Sequence, residues 1–172
     1  NICFKTCNPL SSTKWGIRLY VLTDCKCGYI FSFIPYYGSS TKKSTQPALK
    51  LTIRIVLELY QNLAKMIPEA KGYHIFTDRF HTSVPLSDEL LKINTHLTGA
   101  IKINDTNLPI ALNNPNLKDG QVTAYGTENV MVLAWKDKST VTMLTNKYSN
   151  KLSLVRKVTV DGVKENIMEP EV

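Results

Sequence analysis

The sequence predicts a mixed α/β fold: a sheet of mixed strand direction with helices packed on it, followed by a β-rich appendage. Three observations point there. Two apolar runs flanking a turn are followed by one long stretch of helical periodicity. A strand, helix, strand order comes next, and the chain then changes to three short runs separated by turn residues. The 172 residues are 43% hydrophobic and 20% charged, which suits one domain with a real core and excludes disordered or collagen-like chains. The longest apolar runs, Ile17 to Leu22 and Tyr29 to Tyr37, are too short to span a membrane.

The elements follow in order. After a polar lead, Trp15 to Thr23 reads as a strand passing into a covered sheet. Asp24 to Gly28 supplies turn chemistry, and Tyr29 to Tyr37, rich in aromatic and β-branched residues, closes a β-hairpin. A polar loop ends at Pro47, and a helix is expected from about Ala48 to Ile67. Leu49, Ile53, Val56, Tyr60, Leu63 and Ile67 fall on one face of it, and Pro68 stops it. Tyr73 to Thr77 is a short buried strand that ends on Asp78. Ser83 caps a second helix, with Pro85 early in it and Leu86, Leu90 and Leu91 as its stripe. Thr95 to Ile103 is another strand, followed by a loop with a helical turn at Leu108 to Leu112. Gln121 to Tyr125, Val130 to Trp135 and Thr140 to Asn146 form an antiparallel meander. The strands before residue 104 are expected in one sheet under the first helix, with the meander apart from it.

Asp78 is the first candidate for chemistry, because a carboxylate at a strand end can converge with others on a divalent ion. Asp24 also follows a strand but opens a hairpin turn, which makes it a turn residue. His74, His81 and His96 lack metal-ligand spacing and read as structural or surface residues. Cys3, Cys7, Cys25 and Cys27 read as ordinary thiols of a reducing compartment, since their CxxxC and CxC spacings are not those of a zinc ribbon. No glycine-rich phosphate loop is present. The 21 Lys and Arg against 14 Asp and Glu leave a charge of +7, which fits a polyanion partner such as nucleic acid. The start, Asn1-Ile2-Cys3-Phe4-Lys5, has neither an initiator Met nor a secretory signal and reads as a cut.

Lys14-Trp15-Gly16-Ile17-Arg18, Gly28-Tyr29, Thr77-Asp78 with Thr82-Ser83-Val84-Pro85-Leu86, and Leu97-Thr98-Gly99, taken together and in this order, resemble blocks of the piggyBac-type transposases. Thr13 to Asp24 is similar to that family's "K(W/Y/F)G(I/F/V)K" strand and "D" turn, and Gly28-Tyr29 and Tyr36-Tyr37-Gly38 to its "GY" and "Y.G" elements. Thr77-Asp78-Arg79-Phe80-His81-Thr82-Ser83-Val84-Pro85-Leu86 is similar to "TDN(F/Y)(F/Y)TSxPL", and Leu97-Thr98-Gly99-Ala100-Ile101-Lys102 to "LTGT(I/V)R". Leu108-Pro109 and Val132 to Lys138 continue the match in order, so the resemblance spans nearly the whole chain.

The resemblance implies an RNase H-like (retroviral-integrase-like) core in which three aspartates hold two divalent ions, Mg²⁺ or Mn²⁺, for cleavage and strand transfer of duplex DNA at TTAA sites. It divides the chain into a lead segment, 1–14, a partial RNase H-like core, 15–103, a β-rich insertion, 104–150, and a truncated return to the core, 151–172. Asp78 matches the second aspartate, as catalytic and metal-binding residue. The first belongs to a "DE" motif before this segment and the third to a "GGVDxxDQ" motif after it. Asp88-Glu89 lies in a helix and Val160-Asp161-Gly162-Val163 lacks the GGVD order, so neither takes those roles. No ion is therefore expected to bind firmly to this segment, and the segment alone is expected to be inactive.

The resemblance also implies a nuclear location and no membrane partner, and it admits a homodimer of the complete protein. Arg79 and His81 depart from the family pattern, which has Asn and an aromatic residue there. Arg79 would either compete with a divalent ion for the carboxylate or contact a phosphate. The alternative reading is a non-catalytic domesticated DNA-binding protein or a decayed transposon copy.

Overall fold

A computed structural model describes residues 5–9, 12–38, 41, 46, 48–69, 71–112, 115–136 and 138–148, with the strand backbones of 152–158 and 164–170. Cys3, Lys42, Lys43, Pro47, Lys151 and Val160 to Val163 lie outside the described residues. The chain forms two compact units, Asn1–Ala70 and Lys71–Val172.

In the first unit, β1 (Thr6–Cys7) pairs with β2 (Trp15–Gly16), and β3 (Leu19–Thr23) pairs antiparallel with β4 (Ile30–Pro35). The strand expected from Trp15 to Thr23 is thus two strands, interrupted at Ile17 and Arg18, where the Arg18 carbonyl instead accepts from Tyr36 N–H at 2.9 Å. The hairpin register shifts between Leu22 and Thr23, leaving Phe31 as the extra residue of a bulge. Its turn is closed by the Asp24 carboxylate, whose Oδ1 accepts from the N–H groups of Lys26 and Cys27, both at 2.8 Å. Gly28 follows at φ +70°, a conformation that a side chain would strain.

Helix α1 (Leu51–Met66) covers one face of this hairpin. Ile55 and Leu59 pack with Tyr20, against Leu22, Ile34, Tyr36 and Leu51, and Asn62 Nδ2 donates to Ser32 Oγ at 3.1 Å. The stripe read from the sequence contains Ile53, Val56, Tyr60 and Leu63, all buried, and Ile55 and Leu59 widen it along one edge into a broader buried face.

The second unit is built on a mixed five-stranded sheet of order β5-β6-β9-β8-β7. Strand β5 (His74–Thr77) runs parallel to β6 (His96–Ala100), with helix α2 (Val84–Leu91) between them in sequence. Strands β7 (Val122–Gly126), β8 (Met131–Lys136) and β9 (Thr140–Thr145) form the meander. Before it, the helical turn expected at Leu108 to Leu112 is a 3-10 turn at Ile110–Leu112 with Leu112 fully buried. Beyond it, β10 (Leu152–Val158) and β11 (Lys164–Pro170) make an antiparallel hairpin.

Two expectations about pairing are corrected. The β3–β4 hairpin is a two-stranded sheet of its own, not part of one sheet with β5 and β6. Periodicity marks a strand and its apolar face but carries nothing about which neighbour it pairs with. The meander does not stand apart either: β9 pairs antiparallel with β6, Thr98 opposite Thr145 and Ala100 opposite Met143. Leu97, Thr98 and Gly99 are buried, so β6 is an interior strand needing partners on both edges. A long loop does little to oppose that closure, because its entropic cost grows only slowly with length.

Candidate functional site

The parallel pair β5–β6 places the residues that follow its two strands at one end of the sheet, and Asp78 is the first residue past β5. Its Oδ1 accepts from the N–H of Phe80 at 3.1 Å and of His81 at 3.3 Å, which folds residues 78–81 into a tight turn. The carboxylate remains exposed.

Thr82 holds this turn from beneath. It is 5% exposed; its N–H lies 3.0 Å and its hydroxyl 2.8 Å from the Asp78 carbonyl, and Thr82 Oγ1 is 2.7 Å from Thr77 Oγ1. The next residue, Ser83, caps α2 by accepting from Leu86 N–H at 3.4 Å; Pro85 sits in the first turn and Leu86 is fully buried. The order Thr-Asp, then Thr-Ser, then Pro-Leu is thus one mechanical unit: strand end, braced turn, helix cap and core anchor.

Gly99 completes the support from the neighbouring strand. It pairs with Thr77, and a Cβ built there would overlap the Thr77 carbonyl oxygen and Thr82 Oγ1. Only glycine lets the brace approach β6 this closely.

Two cations lie at the same end. Arg79, Lys102, Ile103 and Asn104 line an open cleft of about 340 Å³, and Lys102 Nζ stands 5.9 Å from the centre of the half-exposed Phe80 ring. Among the described residues the ion pair is Lys92 with Glu89, so Arg79 forms none with Asp78.

The other singled-out residues lie elsewhere. Asp24 closes the β3–β4 turn as expected, and hydrogen bonds from the Cys27 N–H, the Cys27 side chain and the Lys26 N–H hold its carboxyl below the usual carboxylate range. His74, at the opposite end of β5 from Asp78, shares a hydrogen bond through Nε2 with Thr98 Oγ1 at 2.8 Å and meets Tyr148 Oη through Nδ1 at 3.5 Å. Burial, helped by Lys147 and His96, lowers its pKa to about 4, so the ring is neutral at pH 7. Cys7, Cys25 and Cys27 are free, exposed thiols. Among the described residues no group of three or more His, Cys, Asp or Glu could hold a metal ion, and no helix is long and apolar enough to cross a membrane.

As a donor set for a divalent ion, Asp78 offers an exposed carboxylate of the right chemistry, but it is a single ligand where such ions take about six. It fits a shared site to which other carboxylates contribute, and it does not make one alone. Sequence reading found Asp78 but missed the roles of Thr82 and Gly99, and it did not bring Lys102 to the cleft beside Arg79. The Thr-x4-Thr spacing across the turn was the available signal for the brace. No local signal links Lys102 to Arg79, because their proximity depends on β5 pairing with β6.

A strand, braced acidic turn, capped helix and parallel strand are laid against an antiparallel meander. The family model described as "Transposase IS4" matches residues 1–171, and the chain belongs to that transposase family. Its fold is similar to that of the piggyBac transposase, solved in a synaptic complex with hairpin DNA, with a TM-score of 0.75 and 21% sequence identity. The alignment covers 87% of this chain and 31% of that one, so this chain spans less than a third of the length of the solved relative. The piggyBac-type resemblance read from the sequence blocks is borne out.

Proposed function

We propose that this chain is the part of a piggyBac-type transposase that supplies one metal-binding aspartate, Asp78, to a DNA-cleaving centre completed by carboxylates from elsewhere in a longer protein. The observation that carries the reading is the position of Asp78: exposed, directly after a parallel strand, on a turn braced by Thr82 and Gly99, in a chain matched to a transposase family over nearly its whole length. Strand β5 is an edge strand of its sheet, so a further strand can pair beside it and bring a second carboxylate close to the first. That arrangement is what an RNase H-like core requires.

Asp78 and further carboxylates would together hold Mg²⁺ or Mn²⁺, which would supply Lewis-acid chemistry at a phosphoryl group. The contribution of this chain is to fix Asp78. The Oδ1 bonds to Phe80 and His81 set the carboxylate rotamer, and the Thr82 brace sets the backbone, so little ordering remains when an ion and DNA arrive. The partner is duplex DNA, supported by the +7 charge and by the DNA in the solved relative's complex. TTAA as target and the nucleus as location belong to the same reading.

A second reading, a domesticated DNA-binding protein without catalysis, is favoured by one observation: Arg79 stands where the family pattern has Asn, adding a cation next to the candidate ligand. Incubating the 172-residue chain with duplex DNA carrying TTAA sites and Mg²⁺ or Mn²⁺ tests the claim that Asp78 needs partners. No nicking above an Asp78→Ala control is expected. Nicking that disappeared in that variant would show that this chain already holds a complete site.

A further inference from the structure

We infer that the cleft between Arg79 and Lys102 is a seat for one phosphate of the DNA backbone, which positions the strand next to Asp78. The inference rests on the reading of DNA as the partner and says which residues hold it. The cleft is lined by a guanidinium, an ammonium and an amide, from Arg79, Lys102 and Asn104, with Ile103 as its apolar wall. Among the described residues no carboxylate lines it, so these four offer hydrogen-bond donors and positive charge to a ligand, with the amide oxygen as their one side-chain acceptor.

Neither cation is committed to a carboxylate among the described residues. Among the described residues, Arg79 and Lys102 make no ion pair, and Lys102 has only the Phe80 ring at 5.9 Å. A guanidinium with its planar fork and a lysine as a point charge are the usual pair for a tetrahedral phosphate. A cleft of about 340 Å³ is wide enough for one such group and its ester oxygens.

The placement then separates two kinds of charge at one sheet end. Asp78, bonded into its own turn, attracts cations, while the residue after it and the residues following β6 attract an anion. A DNA strand running across the end of β5 and β6 can set one phosphate in the cleft and present a neighbouring one at Asp78. The phosphate is named as a DNA backbone group and not as a free anion because the cleft is open on one side and both cations are exposed.

The test uses the 172-residue chain and a fluorescein-labelled duplex of about 20 base pairs, with affinity measured by anisotropy across a salt series. Removing the seat with Arg79→Asn and Lys102→Gln should lower the slope of log affinity against log salt by about 1 to 2 and weaken binding about tenfold at low salt. A control with the same charge loss at exposed positions away from the cleft, Lys118→Gln with Lys138→Gln, should change both quantities much less. If the cleft variant and the control behave alike while the wild type binds DNA, the seat is overturned and the reading of DNA as partner stands. If the wild type binds no DNA at low salt, that reading falls and the seat with it. In a second arm, the Arg79 Nε–Hε NMR signal should shift with duplex at concentrations where equimolar inorganic phosphate leaves it unmoved; an equal shift with inorganic phosphate would make the cleft a small-anion site and overturn the assignment.

Discussion

The hydroxyl of Thr82 lies 2.8 Å from the backbone carbonyl of Asp78, four residues back in the chain, and so ties the candidate metal ligand to the residue just before the Ser83 cap of α2. This bond fixes the backbone at Asp78, and the Phe80 and His81 N–H groups fix the carboxylate itself. Thr82→Val keeps the shape and removes the donor, leaving the Asp78 carbonyl and Thr77 hydroxyl with fewer partners. A destabilisation of about 1–3 kcal/mol is expected in urea unfolding, with Thr82→Ser close to wild type. Equal stability of the Val and Ser variants would show that the hydroxyl contributes nothing.

Gly99→Ala tests the approach of β6 to the same brace. The added methyl group meets Thr77 backbone and the Thr82 hydroxyl, and neither is the far end of a flexible chain. Overpacking of this kind costs about 1–3 kcal/mol, and the Asp78 to Thr82 amide signals should shift in the NMR spectrum. An unchanged melting curve with unchanged spectra would mean that the two strands are not this close.

Most element locations and the local pairings of the β3–β4 hairpin and the β7–β8–β9 meander were legible in the sequence, and the long-range pairing of β9 with β6 was not. Helix α1, the β3–β4 hairpin, the strand ending at Asp78 and the capped α2 each rest on local signals: periodicity, turn residues, Ser83 and Pro85. The attachment of β9 to β6 joins Thr98 to Thr145, whose hydroxyls meet at 2.8 Å, and nothing in either short run names the other. The same holds for the site. Asp78 stands out as an acid at a strand end, whereas Gly99 and Lys102 acquire meaning only after β5 and β6 are side by side.

His74 makes stability depend on acid. Its pKa is about 4 in the folded chain against an ordinary 6.5. Between these values the unfolded chain binds a proton that the folded chain does not, so stability falls as pH drops from about 6.5 to about 4, levels off below, and is unaffected above. The imidazole NMR signals of His74 should titrate near pH 4, and His74→Asn should flatten the dependence of the urea midpoint over this window. An imidazole midpoint near 6.5 would contradict the burial argument.

Asp24 works in the other direction. With its folded pKa held down by Cys27 and Lys26, its contribution is present above the ordinary value of 3.8 and is lost as pH falls through the lower folded value. The Asp24 carboxyl carbon should therefore titrate below 3.8, and in Asp24→Ala the amide signals of Lys26 and Cys27 should move toward those of an open turn. A carboxyl midpoint at or above 3.8 would remove the turn bonds from the account.

The central claim is that Asp78 is one ligand of a shared metal centre for DNA cleavage. The most direct measurement is strand cleavage of a TTAA-flanked duplex, with Mn²⁺ or Mg²⁺, by a chain extended on both sides through its own coding sequence, compared with the same chain carrying Asp78→Asn. The substitution keeps the shape and removes the charge that holds an ion, so cleavage should fall by at least about a hundredfold while DNA binding persists. Cleavage by the Asp78→Asn chain at the rate of the unaltered one would contradict the assignment of Asp78 as a metal ligand.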